Sequence, residues 1–152
     1  MASNTDAKTG QPIFGHYEPG FNHVGSYQTS ARPFATASVA VPASGAATST
    51  KITFPGVTKF VIVRNDEIGD TYTNSDIRLA FASGGLNDPN ANYVVIKPSS
   101  SFSADFRVTQ VYLMSDSSTA TSASVIAGIT TINAARVPSG SWENTVGVDK
   151  QS

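Results

Sequence analysis

Residues 51–63 read Lys51-Ile52-Thr53-Phe54-Pro55-Gly56-Val57-Thr58-Lys59-Phe60-Val61-Ile62-Val63. The first four alternate polar and apolar, the period of a half-buried strand. Pro55-Gly56 is a turn pair. Val57 to Asn65 then carries the strongest strand signal, and its β-branched run Phe60-Val61-Ile62-Val63 suits burial on both faces. Strand, turn and strand in so short a space set the expectation for the rest of the chain.

The flanking segments repeat this pattern. Arg32 to Val41 precedes as a strand holding Pro33 and ended by Pro42, and Ala43 to Thr50 is a loop of small residues. Asn65 to Ser75 is an acidic, polar loop. Asp76-Ile77-Arg78-Leu79-Ala80-Phe81 alternates cleanly, with Ile77, Leu79 and Phe81 toward the core and Asp76 and Arg78 outward. Leu86 to Asn92 is built from turn formers. Tyr93 to Lys97 is a short strand stopped by Pro98, and Phe102, Ala104, Phe106 and Val108 fall at period two. Val111-Tyr112-Leu113-Met114 and Val125 to Ile132 close the series.

About eight short strands separated by turn clusters predict an all-β fold: an antiparallel β-sandwich or jelly-roll-like barrel with an extended N-terminal arm. No segment supports an amphipathic helix. The expected division is an arm over 1–29, a β-sandwich domain over 30–135 and a C-terminal tail over 136–152. The expected core is Ile52, Phe54, Phe60, Ile62, Ile77, Leu79, Phe81, Val95, Phe106, Val111, Leu113, Ile126 and Ile129.

Composition narrows the function classes. The chain has 152 residues, a formal net charge of -1 and only 14% charged residues, against roughly 25% in an average soluble protein. Nucleic-acid binding needs a basic stripe, so nucleic acid is not an expected partner. Low net charge favours association with other protein. With no cysteine, disulfides and thiolate metal sites are ruled out. No window is apolar enough for a membrane span. Met1 to Gly10 is polar, so a cleaved secretory leader is not expected.

Residues arranged for catalysis or ligand binding are scarce. His16 and His23 lie in one Gly/Pro-rich stretch at a spacing that fits no metal site, and they read as polar residues of an ordered arm. No Gly-x-Ser-x-Gly elbow and no phosphate-binding Gly-Lys-Ser/Thr loop is present. Asp66, Glu67, Asp70 and Asp76 surround one loop, but without the spacing of a calcium loop they read as solvated. The expectation is a protein with no catalytic residues, no cofactor and no metal. Pro12 to Val24 holds Ile13, Phe14, Tyr17, Phe21 and Val24 among Gly and Pro, with no helical or strand period. Such a segment either lays side chains into a partner's pockets or caps its own core. Those five residues and Trp142 are the candidate assembly contacts. Trp142 reads first as an anchor for the C-terminal tail and second as a sugar platform.

Val24-Gly25-Ser26-Tyr27-Gln28, with Ala31-Arg32-Pro33-Phe34-Ala35-Thr36 and the 51–63 stretch, resembles small virion structural proteins of tailed phages, particularly those of marine bacteria and cyanobacteria. The resemblance covers about the first 65 residues. It implies a homo-oligomeric β-sandwich that decorates or cements a capsid, assembled in the host cytoplasm, with the major capsid protein and its own copies as partners. A neck, tail or fibre component is the alternative. From another class comes a carbohydrate-binding module stacking sugars on Tyr72, Tyr93 or Trp142.

Overall fold

A computed structural model describes residues 20–66, 75–86, 91–136, 142 and 145–148. It contains β1 (Arg32–Val41), β2 (Thr50–Thr53), β3 (Thr58–Asn65), β4 (Ile77–Ala80), β5 (Val94–Ile96), β6 (Ser101–Ala104), β7 (Gln110–Ser115) and β8 (Thr121–Ile129). One short helix, α1 (Val24–Gln28), precedes β1. The strands form two antiparallel four-stranded sheets, ordered β1-β8-β3-β6 and β2-β7-β4-β5. The pairs β1·β8, β2·β7, β3·β6 and β4·β5 are those of a single long hairpin wrapped over itself. That is the eight-stranded jelly roll, and the two sheets are those of a sandwich.

The core lies between the sheets. Val61, Val63, Val125, Ala127 and Ile129 enter it from the first sheet, and Ile52, Ile77, Leu79, Val111 and Leu113 from the second. Phe34 of β1 and Phe54 after β2 meet edge to face at 5.2 Å. Two buried polar side chains pin β3 at its ends. Thr58 bonds through its hydroxyl to the Phe106 carbonyl and the Val108 amide. Asn65 donates through Nδ2 to the carbonyls of Ser75 (2.9 Å) and Ile96 (3.1 Å), which flank β4 and end β5 in the other sheet.

Several core expectations need correcting. In β3 the buried apolar side chains are Val61 and Val63, while Phe60 and Ile62 are half-buried on the outer face. The register explains the phase. Phe60 pairs with Gly128, and its ring fills the space a side chain at Gly128 would take. A bulky ring over a bare glycine is a stable cross-strand pair. The same register puts Ile126 outward at 46% exposure, in a row with Ala35, Ile62 and Ser103. Val95 and Phe106 are exposed at 41% and 42%, because β5 is an edge strand and β6 ends at Ala104. Phe81 is half-buried against the core.

The run buried on both faces is β7, all six of whose residues are buried. Its outward Tyr112 and Met114 lie in a second small core with Ala80 and Leu86, to which Tyr93 adds its ring. Leu86 ends the 3₁₀ turn Ser83–Leu86. Arg78 holds this cover down. It points outward as expected, yet it pairs with Asp116, donates to the Leu86 carbonyl at 3.2 Å and lies 4.8 Å from the Tyr93 ring centre.

At the edge of the first sheet, β1 carries Pro33 and a register shift between Thr36 and Val39, where Ser38 takes a φ of 54°. A bulge and a proline on an edge strand spoil it as a template for another strand.

Two outcomes test this packing. Gly128→Ala should cost about 1–3 kcal/mol, because the added methyl meets the Phe60 ring and lies 2.7 Å from Ala31 Cβ. In a Phe60→Ala background the same change should cost less, and denaturant unfolding of the double-mutant cycle reads the difference. Arg78→Ala should cost about 1–3 kcal/mol, summing a carbonyl bond, a ring contact and an ion pair, whereas a freely solvated arginine would give about 0.5 kcal/mol or less.

Candidate assembly site

The site is built where the chain from Gly20 to Thr29 lies against the connection between β6 and β7. His23 caps α1, its Nδ1 accepting from the Ser26 amide at 3.2 Å and lying 2.7 Å from Ser26 Oγ. The Tyr27 hydroxyl donates back to the Phe21 carbonyl at 2.6 Å, closing the turn. Lys59 Nζ donates to the Thr29 carbonyl at 3.0 Å and ties the end of this segment to β3.

Arg107 is the hub. Its guanidinium carbon lies 4.7 Å from the Phe21 ring centre and 5.7 Å from that of Tyr27, and Nη1 donates to Asn22 Oδ1 at 2.9 Å. Its carbonyl accepts from Trp142 Nε1 at 2.8 Å. Phe21 and Trp142 meet edge to face at 5.4 Å. Segments from both ends of the chain are thus clasped to one corner of the jelly roll.

Beside the clasp is a cleft of about 420 Å³ lined by Phe81, Phe106, Val108, Trp142 and Val148, with Asp105 and Arg107 as its charged members. Phe81 and Phe106 meet edge to face at 5.2 Å. The turn before the cleft depends on Gly85, since a Cβ there would sit 2.5 Å from the Val148 carbonyl oxygen.

Of the candidate contacts, the structure brings Phe21 and Trp142 together. Val24 stands apart on α1 at 64% exposure. Ile13, Phe14 and Tyr17 lie outside the described residues, as do His16 and Tyr72. Trp142 packs as an anchor, its indole N–H given to a backbone carbonyl. One face of the Tyr93 ring carries Arg78. In the acidic loop, Asp66 accepts from Ser124 Oγ and Asp76 pairs with Lys97, each at 2.5 Å. Glu67 and Asp70 lie outside the described residues. Among the described residues, no three acidic, histidine or cysteine side chains gather to hold a metal ion. Sequence reading missed Arg107, Tyr27 and Lys59. Their role arises from three distant segments meeting, and the helix that carries Tyr27 is too short to show a period.

No protein-family model matches the chain, and no curated protein matches it.

The single tryptophan reports on the clasp. Phe21→Ala should expose Trp142 to acrylamide quenching while lowering the melting temperature by only about 2–4 °C, the effect of roughly 1 kcal/mol. Burial raises the Tyr27 pKa above 10.0, against a smaller opposing pull from Arg107. A folded-state pKa above the unfolded one gives stability that is whole below pH 10 and lost as pH climbs through the folded value. Quenching of Trp142 should therefore rise in strongly alkaline solution, and Tyr27→Phe should flatten that rise.

Proposed function

We propose that the chain is a non-catalytic structural protein of a phage virion, a decoration or cement protein seated on the outer shell and stabilising it through contacts between subunits. The observation that carries this reading is the clasp at Phe21, Arg107 and Trp142. It fixes the base of a segment whose apolar residues Ile13, Phe14 and Tyr17 then serve as contacts with the major capsid protein or a sister copy. Jelly rolls occur in viral capsids and in lectins, so the fold alone does not choose between them. The resemblance of Val24–Thr36 and Lys51–Val63 to virion proteins favours the first. So does the use of Trp142 and Tyr93 in internal packing, which makes them poor sugar platforms. A chain with so few charges suits a lattice, where weak contacts repeated many times supply the avidity.

Cryo-electron microscopy of purified particles tests the reading. Density for the jelly roll on the shell is the expected result, density at the neck or tail would move the role there, and absence from particles would overturn it. Deleting residues 1–19 should leave the melting temperature nearly unchanged and abolish particle binding. Each buried aromatic contributes roughly 1.5–3 kcal/mol against about 0–1 kcal/mol for a surface ion pair, so high salt should release the intact protein only weakly.

A further inference from the structure

We infer that the cleft beside Trp142 is the receptor for residues 13–17 of a second copy of this chain, an inference that rests on the assembly role proposed above. The cleft presents an aromatic lining with Phe106 largely open to solvent at 42% exposure. Its volume of about 420 Å³ lies in the range of sites that enclose small apolar groups. Nineteen residues precede the described fold, and they join it at Gly20, next to the Phe21 ring that touches Trp142 on the cleft wall. The chain beyond the fold therefore starts at the cleft, and it brings Ile13, Phe14 and Tyr17.

A polar contact adds to this: the cleft carries Asp105, and the incoming segment carries His16. The cleft edge at Trp142 already holds the chain's own Phe21, which leaves the rest of the cleft to a neighbour's arm. At about 3.3 Å per residue, an extended run from Phe21 to Ile13 reaches roughly 26 Å. Exchange of arms between two copies would close the contact on itself.

The absence of cysteine allows a clean test on the full chain. A Gly15→Cys copy is mixed with an Asp105→Cys copy, oxidised mildly with diamide, and run on a non-reducing gel. The expected result is a mixed dimer bridged between the two positions, with little dimer from either copy alone. Phe106→Ser loses the edge-to-face contact with Phe81 and should lower the melting temperature by a few degrees, while weakening self-association of the still folded chain at least about tenfold in sedimentation. No mixed dimer overturns the inference, and an intrachain bridge in the Gly15→Cys/Asp105→Cys double variant shows instead that the arm fills its own cleft. A chain found on particles that gives no mixed dimer keeps the assembly role and loses the cleft. A mixed dimer from a chain absent from particles does the reverse.

Discussion

Strand β8 is the constraint on which the first sheet depends. It lies between β1 and β3 and hydrogen-bonds to both. Arg32 of β1 and Thr58 of β3 each pair with Ile129, so the first and third strands are held in one sheet only through the last. Its inward residues Val125, Ala127 and Ile129 are the middle of the core. Contacts so distant in sequence make folding slow, because loop closure must come before the pairing that rewards it.

The polar pins of β3 carry this order to the candidate site. Thr58 fixes the backbone at Phe106 and Val108, and the residue between them is Arg107. The hub of the clasp is exposed, yet its backbone is held on both sides by a buried hydroxyl. Phe21, Tyr27 and Trp142 can therefore gather on one guanidinium, although each exposed contact is weak by itself. At the other end, Asn65 joins the sheets through two carbonyls. Leaving those carbonyls unpaired would cost more than the bonds themselves contribute.

Strand positions were largely legible because alternation and turn residues mark them locally. Arg32–Val41 was readable to its ends, and Ile77 and Leu79 had the right face. Phase was lost where the sequence does not alternate. Phe60-Val61-Ile62-Val63 is apolar at every position, so only the register with Gly128 decides which side faces in. The two-sided burial expected there belongs to β7, because cover for the outer face comes from the turn around Leu86 and from Tyr93, a tertiary event. Arg78 read correctly as outward, and the contacts that hold it there were not legible for the same reason. Of the site, Phe21 and Trp142 were visible as aromatic residues outside the strand pattern. The partner that gathers Phe21, Tyr27 and Trp142 was not, since nothing local distinguishes Arg107 from any surface arginine.

The irregular edge of β1 bears on how copies can add together. A flat edge strand invites the next molecule to extend the sheet, and the product has no natural end. The proline at 33 and the bulge around Ser38 break the hydrogen-bonding rhythm along β1, so addition along that edge meets mismatched donors and acceptors. The other sheet edges, β6, β2 and β5, are strands of only three or four residues, so among the described strands no long, regular edge is left as a template. The same few residues that make β1 an imperfect strand thus work against open-ended growth of the sheet along it.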